Sequence, residues 1–195
     1  VIHNEELGLD KIEAGQDYQN CHFLVSTQKI RIADVNFVNC TFEQTDFSHS
    51  EWLDCSFKGI NFSNKHFEQS IFYRDKFDTC NLLGVECFEN TWKDTQLSAC
   101  RADYINFSSS KMTHCQLQDS SFKEALFYDV VFKSGLLTTG CTFDESSFSG
   151  SKLKGVDLSK SEFTAITFTP AYLQGLIINQ FQAASLIATL GVEIR

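Results

Sequence analysis

Every fifth residue from Phe37 to Leu137 is apolar, 21 positions without exception, in a chain that is 43% apolar. A run of that length in one chosen register has a chance probability of about 10⁻⁸, so the spacing is a design feature of the chain. A period of five fits neither the 3.6 of an α-helix nor the 2 of a β-strand. It marks a repeat architecture, in which one unit cannot bury its own apolar residue and must stack on its neighbours.

The register accounts for most of the unusual composition. Seventeen of the 19 phenylalanines lie on the repeat position, and only Phe88 and Phe181 lie off it. Trp52 and Trp92 are on register too. Seven of the eight cysteines (Cys21, Cys40, Cys55, Cys80, Cys100, Cys115 and Cys141) sit two residues before a repeat position, and Cys87 occupies one. Serine, alanine and valine share the minus-two slot, so it selects small inward residues, and a free thiol behaves as a small hydrophobe. Without a C-x-x-C pair the cysteines do not propose a zinc site. The histidines His22, His49, His66 and His114 fall in outward slots on different turns, which argues against a ligand set or a nucleophile–base pair. Neither a catalytic constellation, a metal site nor a cofactor is expected. Asp75 is the exception to the inward pattern: a carboxylate in a small, buried slot is costly unless protonated or hydrogen-bonded.

The unit reads small, polar, large apolar, polar, polar, as in Cys40-Thr41-Phe42-Glu43-Gln44, Cys55-Ser56-Phe57-Lys58-Gly59 and Val156-Asp157-Leu158-Ser159-Lys160. It resembles the pentapeptide-repeat family over residues 35–173, about 27 repeats. The resemblance implies an all-β, right-handed quadrilateral β-helix with four repeats to a coil, a pentapeptide-repeat solenoid ending in a short C-terminal helix. About seven coils at one strand spacing each would make a rod roughly 33 Å long.

Three places break the pattern. The register slips by one residue between Leu137 and Phe143, which predicts a bulge around Thr138-Thr139-Gly140. Residues Leu24 to Arg31 fit no repeat, so the chain up to about residue 34 is expected to form an irregular first coil within a solenoid domain of residues 1–169. Residues 170–195 form a separate capping or dimerisation segment. There Asn179 to Leu190 reads as a short amphipathic helix with Asn179 as N-cap, flanked by strand-like Leu176-Ile177-Ile178 and Val192-Glu193-Ile194. Leu173, Leu176, Ile177, Phe181, Ala184, Ile187 and Leu190 are more large apolar groups than a cap needs, and they are expected to dimerise.

The net charge of −9 disfavours nucleic acid and anionic membrane and favours basic partners. Charge is polarised once the chain is folded onto four sides. The side through Phe42, Phe62 and Phe122 carries Glu43, Asp103, Glu124, Asp144, Glu145 and Glu162 and nets −4. The next side, through Phe47, Phe67 and Phe127, carries Asp46, Glu68, Glu86, Glu89 and Asp129 and also nets −4. The side through Trp52, Phe72 and Trp92 nets +3. Eleven carboxylates over roughly 33 Å approach the charge spacing of one DNA strand.

A rod of this kind with an apolar C-terminal helix resembles the Qnr and MfpA group of pentapeptide-repeat proteins, and the unbroken run from Phe37 to Leu137 is closest to its loopless members. That resemblance implies a cytoplasmic homodimer that mimics DNA, binds DNA gyrase or topoisomerase IV and protects them from fluoroquinolones. It implies no enzyme activity and no direct contact with nucleic acid or membrane. The competing expectation is a pentapeptide-repeat scaffold with no topoisomerase partner.

Overall fold

Each pentad alternates out, in, out around its central residue, and its strand is only two or three residues long, as in Asn36–Val38, Ser56–Lys58 and Lys76–Asp78. Strands this short cannot persist alone, so each pairs in parallel with the coil above and the coil below. The computed structural model describes residues 1–193. Its ladder partners are Phe37↔Phe57, Phe57↔Phe77, Phe77↔Leu97 and Leu97↔Leu117. Each pair is four pentads apart, so the chain turns four corners per coil and forms a four-sided β-solenoid.

The four sides are not equivalent. The first is a nine-stranded parallel sheet running from Ile2–His3 to Val156–Glu162. The fourth is a six-stranded sheet from Arg31–Ala33 to Val131–Lys133. On the second and third sides pairing thins to isolated bridges such as Asn61↔Asn81 and Glu86↔Asn106. Nine strands at about 4.8 Å give a stack about 38 Å high.

The corners explain how a pentad can turn at all. The residue two after each central position has positive φ: Asn39 at 51°, Asp54 at 56°, Arg74 at 57°, Thr79 at 53°, Tyr104 at 60°. Only glycine, and less often asparagine or aspartate, adopts this region without cost. Here the N–H of each such residue donates to a carbonyl of the following coil, as from Asn39 to Lys58 (2.8 Å) and from Arg74 to Lys93 (2.9 Å). The corner is therefore tied into the ladder, and that bonding sustains left-handed residues of many types.

Inside, the repeat residues form four columns. Rings stack face to face along a column and meet edge-on between columns. Phe47 lies 4.8 Å from Phe67 at 7°, and Phe127 lies 4.5 Å from Phe148 at 3°, whereas Phe62 meets Phe67 at 89°. Each buried phenylalanine stabilises the stack by roughly 1.5–3 kcal/mol. The minus-two slots line the inner corners, and all eight cysteines are buried and free. The Cys40 thiol donates to the Tyr18 carbonyl at 3.3 Å. Burial, with the nearby Asp75 carboxyl, pushes the Cys55 thiol up to about 12. These thiols fill space and are not reactive centres.

The irregularity expected around Thr138-Thr139-Gly140 is present, because the pairing of Leu136–Thr142 with Val156–Glu162 shifts register between Leu137 and Thr139 and again between Thr139 and Thr142. The extra residue itself lies earlier than the sequence suggests. Met112 still pairs with Phe132, but Leu117 pairs with Thr138. The extra residue therefore enters at Ser134-Gly135, where both φ values are positive (65° and 77°). Leu137, expected inward, is 57% exposed, while Leu136 and Thr138 point in. An apolar neighbour on each side of the slip made either phase readable. The next coil returns to the twenty-residue spacing, and Gly135, Gly155 and Gly175 stack at one corner with φ of 77°, 79° and 83°. A Cβ on Gly135 would lie 2.0 Å from the Gly155 carbonyl oxygen.

Both ends depart from the regular coil. At the start, Tyr18 pairs with Phe37 and Phe23 with Phe42, so this coil is one residue shorter than the next, and Val25–Ile30 crosses without a strand. Lys65 compensates beneath it: its Nζ turns inward from a minus-two slot and donates to the carbonyls of Phe42 (2.9 Å) and Gln44 (2.6 Å). At the other end, ladder bonds continue through Leu153–Tyr172, Gly155–Gly175 and Leu158–Ile177. The helix Gln180–Thr189 follows, with Asn179 as N-cap in a capping box with Gln182. Val192-Glu193 forms no strand, contrary to expectation, and Ile194 lies outside the described residues.

Gly135→Ala should lower stability by about 2–4 kcal/mol, combining left-handed strain with overpacking against Gly155. Gly191→Ala, with nothing within 4 Å, should cost only the strain. Urea unfolding of the two variants checks this, and equal midpoints would contradict the close contact.

Candidate partner-binding surface

Side chains at plus-one, plus-two and minus-one point outward, so these slots carry whatever a partner meets. None of the eleven acidic residues predicted from sequence is buried. The structure also gives them an order that side-by-side charge totals conceal. On the second side the middle coils present Asn61, Ser63, Asn64, Asn81, Leu83 and Gly84, with no carboxylate. Acids near the N-terminal end lie mainly on the third side, as Asp46, Glu68, Glu86 and Glu89. Those near the C-terminal end lie mainly on the second, as Asp103, Glu124, Asp144, Glu145 and Glu162. Glu43 starts the second side, and Asp129 keeps the third side acidic further along. The result is a band crossing the shared edge diagonally, not two uniform faces.

Neighbouring coils hold several of these carboxylates in place. Glu86 accepts from Asn106 Nδ2 at 2.7 Å, Glu89 from Gln69 Nε2 at 2.5 Å and Glu124 from the Tyr104 hydroxyl at 3.0 Å. Asp144 accepts from the Thr164 N–H at 2.6 Å and its hydroxyl at 2.9 Å. Asp103 accepts from the Ser121 hydroxyl and from the Lys123 N–H. Asp46 is held below the ordinary carboxylate range by the hydroxyl and N–H of Ser48. Partial burial would raise Glu68, but the Ser48 hydroxyl and His66 outweigh it and hold it low as well. The single base counted on the third side, Lys65, is the lysine turned inward to backbone carbonyls, so it does not neutralise the band.

The band contains exposed apolar groups that charge counting missed. Phe88, Tyr104, Leu126 and Tyr128 are 36%, 51%, 42% and 50% exposed and lie among Glu86, Glu89, Glu124 and Asp129. Phe88 was visible as an off-register phenylalanine. The others become visible only when outward slots are searched for large side chains. Near the C-terminus the band ends in a cleft of about 370 Å³ lined by Asp144, Glu162, Phe163 and Phe181.

The residues expected to dimerise divide into two groups. Leu173 and Leu176 pack against the chain's own core. Ile177, Phe181, Ala184, Ile187 and Leu190 are exposed, Phe181 by 82%. The helix is anchored by buried Gln182, whose amide donates to the carbonyls of Leu158 (2.8 Å) and Ser161 (2.7 Å), and by Leu186, which packs against the core one turn on. A glutamine thus caps the last coil while the exposed apolar residues of the helix point away from it.

The histidines sit apart. His22 lies 3.5 Å from Glu43, His66 3.0 Å from Glu68 and His114 3.2 Å from Asp94. No group of three metal-ligating side chains converges among the described residues. Asp75 is fully buried; its Oδ1 accepts the Cys55 N–H at 2.7 Å and its Oδ2 has no partner among the described residues. Burial, opposed by that hydrogen bond, raises it to about 7. The proton is therefore bound in the folded chain and released in the unfolded chain between about pH 4 and 7, so stability falls as pH rises through that window. Asp75→Asn keeps the acceptor for Cys55 and removes the titration. Its stability advantage over the parent should grow by about 4 kcal/mol from pH 4 to 8 in urea titrations. A difference that stays flat with pH would show that the carboxyl is not held neutral.

The sequence profile described as Pentapeptide repeats matches residues 93–127 and 139–169 in eight copies. No curated protein matches the chain in sequence. Among solved structures, one trypsin-treated variant of QnrB1, a plasmid-mediated fluoroquinolone resistance protein, superposes with a TM-score of 0.62 at 20% identity over 99% of this chain and 98% of that one. A second trypsin-treated QnrB1 variant gives 0.64 at 17% identity over 100% and 99%. The five-residue register, the four-sided stack and these matches agree: the chain is a pentapeptide-repeat β-solenoid that shares the QnrB1 fold along its full length.

Proposed function

We propose that this chain is a non-enzymatic, DNA-mimicking ligand of type II topoisomerase, either DNA gyrase or topoisomerase IV. It presents its acidic band to a basic DNA-binding groove and thereby protects the enzyme from fluoroquinolones. The observation that carries the reading is the diagonal band itself: exposed carboxylates, several fixed by hydrogen bonds from the adjacent coil, on a rod of rigid backbone. Prefixed charge steers association with a basic groove and loses little on docking. The fluoroquinolone resistance ascribed to QnrB1, which shares the fold, supports the same assignment.

Phe88, Leu126 and Tyr128 give the band an apolar component that DNA lacks. They would supply the desolvated centre of the contact while the carboxylates set orientation and rate. The cleft at Asp144 and Glu162 has room for one long basic side chain. Two chains would join through the exposed helix face at Phe181, Ala184, Ile187 and Leu190, doubling the acidic rod.

A supercoiling assay with ciprofloxacin tests the main reading. The chain should restore gyrase or topoisomerase IV activity, and less so as salt is raised. Reversing Glu86, Glu124 and Asp129 to lysine should raise the concentration needed about tenfold or more. Neither protection nor inhibition at any concentration would leave the scaffold reading in its place. For the dimer, light scattering should give twice the 22.1 kDa chain mass. Phe181→Asp should halve that mass without changing the melting midpoint, because Phe181 is 82% exposed and touches little of its own chain. An unchanged mass would rule this face out.

A further inference from the structure

The fourth side carries a second charged surface, of opposite sign, that the topoisomerase reading does not use. Its two halves are built differently. Toward the N-terminus every base faces an acid: Lys29 and Arg31 lie 2.9 and 3.1 Å from Glu51, and Arg74 lies 2.5 Å from Asp54. His114 and Asp94 form the last such pair, at 3.2 Å. Lys93 and Lys111 lie on the same two coils as that pair and Lys133, Lys152 and Lys154 lie beyond it, and none of the five has a carboxylate within ion-pair distance among the described residues. Lys111 and Lys133 lie against each other, and the neighbouring ammonium holds Lys111 below its ordinary value. A like-charged pair left unneutralised on a face that elsewhere pairs its bases is unfavourable without an anion between them.

The lysines are also regularly placed. Lys93, Thr113 and Lys133 share one outward column, and Thr91, Lys111 and Val131 share the other. Lys152 and Lys154 flank Leu153 on the following coil. The charges therefore zigzag across four successive coils, about one every 4.8 Å over roughly 14 Å. That length spans about four nucleotides of one strand at 3.4 Å each. Lysine is a point charge suited to phosphate, whereas planar carboxylates are better gripped by arginine. The Tyr73 ring is covered by Arg74 at 3.9 Å and Lys93 at 4.8 Å, and Lys152 stands 6.0 Å from the Tyr172 ring at the far end of the strip.

We propose that the C-terminal half of the fourth side is a sequence-independent binding strip for the phosphate backbone of a nucleic-acid strand. The chain's net charge repels nucleic acid at long range. Mobile ions around the rod, with a Debye length of about 8 Å at physiological salt, weaken that repulsion in solvent, so the strip acts at contact distance. Affinity is correspondingly modest, since only five charges are available.

Fluorescence anisotropy with the full chain and labelled 20-nucleotide single-stranded and duplex DNA, from 20 to 200 mM salt, tests the strip. Binding should be independent of sequence. The logarithm of the association constant should fall against the logarithm of salt with a slope no steeper than about −3.5 for the single strand and −4.5 for the duplex. Lys111→Gln with Lys133→Gln and Lys152→Gln should flatten that slope by about 2–3, whereas arginine at the same three positions should retain binding. The melting midpoints of both variants report that the fold is intact. Absence of binding at 20 mM salt, or binding indifferent to the glutamine substitutions, would overturn the proposal. Polyglutamate of equal charge competing as well as DNA would also overturn it, and would mark the strip as a site for an acidic polypeptide.

Discussion

Everything in this molecule depends on one coil stacking in register on the next at the spacing of paired strands. A pentad holds one buried side chain and at most three strand residues, far too little to fold alone. Stacked, each central side chain meets another above and below, often ring on ring, and corner N–H groups find carbonyls on the following coil. The same bonding sustains left-handed φ at Arg74, Thr79 and Tyr104, residue types that do not favour it. Stability is consequently a property of neighbours, and the Ser134-Gly135 insertion is tolerated because the coil above returns to the twenty-residue spacing and stacks on it in register.

That constraint acts only inward. Outward slots are freed from folding duties, so their composition can vary along the rod, and here it varies in charge. Repetition turns the sequence into a surface with simple coordinates: moving twenty residues climbs one coil, and moving five turns a corner. An acidic band on the second and third sides and a basic strip on the fourth can coexist because outward slots are chosen one by one, although the third and fourth sides share an edge. Where the inward rule is broken, the reason is local. Lys65 enters an inner corner to satisfy carbonyls under the short first coil, and Asp75 is accommodated by keeping its proton.

The central columns, the packing role of the cysteines, the outward histidines and the N-cap at Asn179 were legible in the residues, because burial in a five-residue register leaves a strong signal. The position of the register slip was not. Leu136 and Leu137 both satisfy an apolar slot, and only ladder pairing shows that Leu137 is outside. Likewise the helix looked apolar on one face, yet its hydrogen-bonded anchor to the stack is the polar Gln182. A side chain that caps carbonyls leaves no hydrophobic pattern. The acidic residues were all identified, but their diagonal course and the apolar groups among them were not, since a net charge per side averages over height.

The sequence by itself determined that this chain builds a repeat solenoid with a solid aromatic core, because a fixed period of large apolar residues has no other way to be buried. It also determined which residues face out, except around the inserted residue, where Leu136 and Leu137 exchange roles. Tertiary structure decided how those outward residues meet: which carboxylates are fixed by a neighbour one coil away, which lysines go unpaired and which face of the terminal helix stays uncovered. Those outcomes rest on distances between residues about twenty apart, set by coil length and by the single inserted residue, and no local stretch of sequence contains them.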